Sequence, residues 1–132
     1  MKYVSTRKGI EATAPETVFQ GLAPDGGLYT MSPDEIPQLD WRALRDLDYP
    51  SLAAEVLSAL LPDFSREEMH ALVTAAYTGK FPSGWITPLR DAGDDLFLEL
   101  FHGPTSAFKD VALCLLPHLM KSAAEKCGNT DD

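Results

Sequence analysis

Apolar residues stand three and four apart over much of this chain, with short extended runs between. Leu52, Val56, Leu57, Leu60 and Leu61 predict a helix over 51–61, stopped by Pro62. Met69, Leu72, Val73, Ala76 and Tyr77 share one face of a second helix. Ser65, with Glu68 three residues on, supplies its capping box, and Gly79 ends it. Thr13-Ala14-Pro15-Glu16 opens a shorter helix whose apolar face is Val18, Phe19 and Leu22, weakened at Gly21. Asp40 is placed to cap a short helix over 41–47, and Ser32 to Pro37 is loop-like, with room for one helical turn. Tyr3-Val4 and Leu28-Tyr29 predict two short strands. The Asp25-Gly26-Gly27 turn precedes the second and lets them pair antiparallel.

The pattern changes towards the C-terminus. Lys80 to Thr87 is a stretch of proline, glycine and aromatic residues, and Pro88 keeps Thr87 extended. Asp91 to Asp95 is a polar turn, and the apolar run Leu96 to Phe101 predicts a buried strand. His102-Gly103-Pro104-Thr105-Ser106 then turns into a long apolar helix over 107–126, which Pro117 kinks or splits. Gly128 closes that helix, and 129–132 is a polar end. The fold class is therefore α+β, in two parts. Residues 1–92 form a mostly helical N-terminal domain with a small antiparallel sheet, and 93–132 the first strand-helix unit of an α/β domain. Such a unit normally leads to a further parallel strand, so the chain reads as truncated.

Charge and cysteines narrow the function classes. The 132 residues carry a net charge of -9, which disfavours phosphate backbones and anionic membrane surfaces. Cys114 and Cys127 would sit about 20 Å apart on one helix, too far to bridge, and read as reduced thiols. No apolar leader and no membrane-length apolar run is present, so a cytoplasmic protein is expected. His70, His102 and His118 lack the spacing of metal ligands. Trp41, Trp85, Phe19 and Phe64 read as packing residues.

The segment richest in chemistry is Leu98 to Asp110, where a strand delivers the chain to a Gly-Pro-Thr turn and Lys109 falls in the first turn of the next helix. Its amine is a candidate nucleophile towards an aldehyde, with Asp110 beside it as a competing ionic partner. Glu99 needs a partner if it is buried. Thr105 and Ser106 are natural helix caps, and His102 is placed to orient the turn through a backbone hydrogen bond.

The string Phe101-His102-Gly103-Pro104-Thr105-Ser106-Ala107-Phe108-Lys109-Asp110 resembles the FHGPT-x-AFKD motif of threonine synthases. Tyr3-Val4-Ser5-Thr6-Arg7 with Gly21 to Tyr29 is similar to that family's opening, and Thr87-Pro88-Leu89 is a weaker third match in the same order. The resemblance implies an N-terminal portion of a pyridoxal-phosphate enzyme of the tryptophan-synthase-β-like, fold type II group. Lys109 would be its catalytic residue and covalent point of attachment for the cofactor, in a PLP-binding domain beginning at 93–132. It further implies a carbon-oxygen lyase that converts O-phospho-L-homoserine and water to L-threonine and phosphate, the last step of threonine biosynthesis. The family's glycine-rich phosphate loops fall beyond Asp132, so this chain alone is expected to be inactive. A related phospholyase acting on another phosphorylated amino alcohol, and a non-catalytic interaction module, stay open as alternatives. The apolar helix face at Leu113, Leu116 and Met120 would be exposed in a lone segment and promote self-association.

Overall fold

A computed structural model describes residues 2–82 and 85–129. Ser83 and Gly84 of the proline- and glycine-rich stretch, and 130–132 of the polar end, lie outside the described residues. The architecture is α+β, as the sequence predicts.

Three short strands, β1 (Tyr3–Ser5), β2 (Glu11–Ala12) and β3 (Tyr29–Met31), form an antiparallel sheet in the order β2-β1-β3. Tyr3 stands opposite Met31 and Ser5 opposite Tyr29. The expected pairing of the first strand with the one after the Asp-Gly-Gly turn is present, while two-residue β2 is too short to show in the pattern. Asp25 stitches the sheet to its turn: its carboxylate accepts from Ser5 Oγ at 2.7 Å and from the N–H groups of Lys8 and Gly27, each at 2.9 Å. A Cβ on Gly27 would overlap Ser5 Oγ, so no other residue fits there.

The helices start where local chemistry can satisfy their free N–H groups. In α1 (Ala14–Gln20), Glu16 reaches back to the Thr13 N–H at 2.7 Å. Pro33–Glu35 makes the single 3₁₀ turn, and Asp40 caps α2 (Trp41–Leu44). The helix α3 (Tyr49–Leu60) begins earlier than the apolar pattern suggests because Asp48 accepts from the Ser51 N–H at 2.9 Å. The predicted capping box opens α4 (Arg66–Tyr77), with Ser65 and Glu68 exchanging bonds of 3.1 and 3.3 Å. Met69 and Val73 of α4 are fully buried, in one cluster with Ala14, Ala54 and Phe64.

One expectation for the C-terminal part is corrected. The run from Leu96 is not a buried strand: β5 (Asp95–Leu98) pairs only with β4 (Leu89–Ala92), as an antiparallel hairpin turned at Gly93 and Asp94. Every position of both strands is exposed, since among the described residues no third strand or helix covers them. The long helix is divided just before Pro117, the split that the sequence predicts. Here α5 (Asp110–Leu113) is followed by α6 (Leu116–Lys126), with Pro117 in the first turn of α6, where its missing N–H costs nothing. Leu115, Leu119 and Ala123 turn inward and join the cluster around Met69. The Ser122 hydroxyl and the Lys126 ammonium both meet Glu68, the latter at 2.9 Å. Among the described residues no helix is long and apolar enough to cross a membrane.

Candidate functional site

The path to Lys109 begins at the end of the hairpin. The Glu99 N–H donates to the Pro88 carbonyl at 2.9 Å, which carries the extended segment past β4 and half-buries the Glu99 side chain. Its carboxylate finds the partner it needs in His102 Nε2 at 2.6 Å, with Arg90 Nε 3.6 Å away. His102 therefore orients the turn through a carboxylate rather than a backbone group. Trp85 completes this cluster. Arg90 lies over its ring at 4.1 Å, and the His102 ring meets it edge-on at 6.2 Å.

Beyond His102 the chain folds tightly back on itself. The Ser106 N–H donates to the Gly103 carbonyl at 3.1 Å, and Ser106 takes a left-handed φ of 58°. Asp110 closes this turn. Its carboxylate accepts the Thr105 N–H at 2.7 Å through one oxygen and the Thr105 hydroxyl at 2.6 Å through the other. Gly103 packs against the Asp110 side chain so closely that a Cβ would overlap it. Thr105 and Ser106 are thus not the helix caps that the sequence suggests. Hydrogen bonds from the Thr105 hydroxyl, and then from its N–H, hold the Asp110 carboxyl below the usual aspartate range.

Lys109 stands at the N-cap position of α5 rather than within its first turn. It is exposed, and among the described residues it takes part in no ion pair, because its neighbour Asp110 is buried and spent on Thr105. Lys109 borders an apolar groove of about 650 Å³, walled by Leu52 and Val56 of α3 on one side and Leu113 and Leu116 on the other. The groove floor is tied to the N-terminal helices by Tyr77, whose hydroxyl donates to the Val111 carbonyl at 2.7 Å. Burial pushes the Tyr77 phenol well up, and Tyr49 beside it adds to the shift. Sequence reasoning picked out Lys109, Glu99 and His102 but missed Arg90, Tyr77 and the part played by Asp110. A buried tyrosine at a helix end does signal a search for an acceptor, whereas nothing local signals that Asp110 reaches back five residues.

The family described as Threonine synthase N terminus matches residues 2–77. The chain belongs to the threonine synthase family. Threonine synthase of Corynebacterium glutamicum is 42% identical over 132 residues, covering 92% of this chain and 27% of that protein. The Schizosaccharomyces pombe threonine synthase is 44% identical over 128 residues, covering 92% of this chain and 24% of its own length. The chain thus spans about a quarter of the curated relatives it matches. Among solved structures, a PLP-bound threonine synthase from Brucella melitensis superimposes with a TM-score of 0.84 at 36% identity, over 97% of this chain and 28% of its own. The yeast threonine synthase gives 0.80 at 33% identity, over 98% and 28%. Within this threonine synthase segment the family match spans the sheet and α1 to α4. The turn carrying Lys109 lies past it, inside the region that the whole-chain superpositions cover.

Proposed function

We propose that this chain is the N-terminal part of an enzyme that converts O-phospho-L-homoserine and water to L-threonine and phosphate, with pyridoxal 5'-phosphate held covalently at Lys109. Residues 1–92 form its N-terminal domain and 93–132 open its cofactor domain. The observation that carries the reading is Lys109 itself: a primary amine, exposed, without an ionic partner among the described residues, on the rim of an apolar groove. Membership of the threonine synthase family supports it, as does the likeness to a PLP-bound relative.

The donor set fits the aldehyde end of such a cofactor and not its phosphate end. Lys109 Nζ supplies the amine, while the Thr105 N–H and hydroxyl, the obvious anion donors of the turn, are both taken by Asp110. Residues beyond this chain would have to hold the phosphate, so the 132 residues alone are inactive in this reading. The bound cofactor supplies an electron-withdrawing ring to the substrate's α-carbon. Lys109 Nζ is the group that takes and returns protons at the substrate carbons, as general base and acid. Leu52, Val56 and Leu113 give the groove beside the amine its apolar walls. The enzyme is cytoplasmic in this reading. The exposed face at Leu113, Leu116 and Met120 supports self-association of the isolated chain.

The test is borohydride reduction of the full chain carrying these residues, in the presence of pyridoxal phosphate, followed by peptide mapping. Label on Lys109, and loss of both label and threonine formation in Lys109→Ala, is the expected result. Label on another side chain, or threonine formation by the Lys109→Ala variant, refutes the assignment. Robust threonine formation by the purified 132-residue chain would refute the claim that it is inactive alone.

A further inference from the structure

Asp110 is the least expected residue of the site. It is 5% exposed, an uncommon place for a carboxylate, and stands next in sequence to the one amine the function needs. A carboxylate there has two possible uses: to pair with Lys109, or to shape the backbone that presents it. The geometry separates them. Both oxygens are occupied by Thr105, one by its N–H and the other by its hydroxyl, and among the described residues neither forms an ion pair with Lys109. Gly103 closes over the carboxylate with no room for a side chain of its own, and Ser106 adopts its left-handed φ in the same turn. The Asp110 N–H donates to the Ala107 carbonyl at 3.0 Å, so the residue holds the turn from both its side chain and its backbone.

We propose that Asp110 is the positioning residue for Lys109: by accepting both Thr105 donors it fixes the 103–109 turn, and so presents the lysine amine free of its own neighbouring charge. The inference rests on the reading of Lys109 as the cofactor's attachment point. It adds that the adjacent carboxylate acts through shape and not through charge.

These two roles predict opposite rescue patterns. Asparagine is isosteric with aspartate. Its oxygen can accept the Thr105 N–H while its NH2 donates to the Thr105 hydroxyl, so the turn survives without the charge. Glutamate keeps the charge but adds a methylene where Gly103 leaves no space. The experiment measures the rate at which borohydride fixes pyridoxal phosphate on the Lys109 peptide, in the full chain carrying these residues, quantified by mass spectrometry. Asp110→Ala and Asp110→Glu are expected to slow labelling by roughly 100-fold, the usual consequence of misplacing a reacting group by about 1 Å. Asp110→Asn should stay near the wild-type rate. Rescue by Glu with failure of Asn would show a charge role and overturn the proposal, as would a wild-type rate in Asp110→Ala. Should the Ala and Glu variants not fold, Thr105→Val removes only the hydroxyl donor. It is expected to slow labelling too, and an unchanged rate in it would equally overturn the proposal. The wild-type arm is independent of every variant: label away from Lys109 there refutes the cofactor site itself, before Asp110 is tested.

Discussion

The Tyr77 hydroxyl donates to the Val111 carbonyl across 34 residues of chain, joining the last turn of α4 to the helix that follows Lys109. The Tyr77 ring is also held edge-on by Tyr49 and Phe81, at centroid distances of 5.4 and 5.8 Å. One side chain thus connects the N-terminal helices to the functional turn through both packing and a directed bond.

Tyr77→Phe keeps the packing and removes the bond. It should cost about 1 kcal/mol of stability and leave the Val111 carbonyl short of a donor. Urea unfolding monitored by circular dichroism measures the loss, and hydrogen exchange should rise first in the amides of α5. An unchanged unfolding midpoint would show that the bond contributes nothing.

Met69→Ala should be among the most damaging single changes. Met69 is fully buried in the cluster that also holds Leu119 and Ala123 of α6, so its truncation opens a cavity in that core. A loss of about 2–5 kcal/mol is expected. A thermal midpoint within a degree of wild type would contradict the placement of the core.

Acid should destabilise the chain through its hydrogen-bonded carboxylates. Asp25 is held below its ordinary range by the Ser5 hydroxyl and then the Gly27 N–H, Asp48 by Ser51, Glu16 by the Thr13 N–H, and Asp110 by Thr105. The unfolded chain therefore takes up protons first as pH falls. The stability these groups supply is fully present above about pH 4–5, and is lost below it as pH passes through their folded-state values. Urea midpoints at pH 7, 5, 4 and 3 should be level at first and then drop. The same midpoint at pH 3 as at pH 7 would rule this out.

The isolated chain should self-associate. Leu113, Leu116 and Met120 are 52%, 40% and 41% exposed along one stretch beside the groove. Sedimentation should find species heavier than 14.4 kDa, and Leu113→Lys with Leu116→Glu should return the monomer. A monomer at every concentration would show that this face is tolerated in water.

What the pattern of residues made legible was local. The capping box at Ser65 and Glu68, the Asp-Gly-Gly turn, the strand at Tyr3-Val4 and the interruption at Pro117 each depend on neighbours a few positions away, and each stands where the sequence places it. The failures are contacts or environments set at longer range. An apolar run such as Leu96 to Phe101 is equally apolar whether covered or bare, so its exposure in a hairpin was not readable from composition. The turn around Asp110 was misread for a related reason. A threonine after Gly-Pro looks like a cap until the carboxylate five residues on takes its hydrogen bonds. Lys109 was found through its motif, not its surroundings.

The stacking of Arg90 on Trp85, with His102 at the ring's edge, gives this region its own optical reporter. The chain has only two tryptophans, and Trp41 lies elsewhere, on a short exposed helix. Replacing Trp41 by Phe would leave a single indole whose emission answers to the approach of a guanidinium and an imidazole. Rearrangement of the segment between the hairpin and Lys109 could then be followed as a change in fluorescence, without attaching a dye.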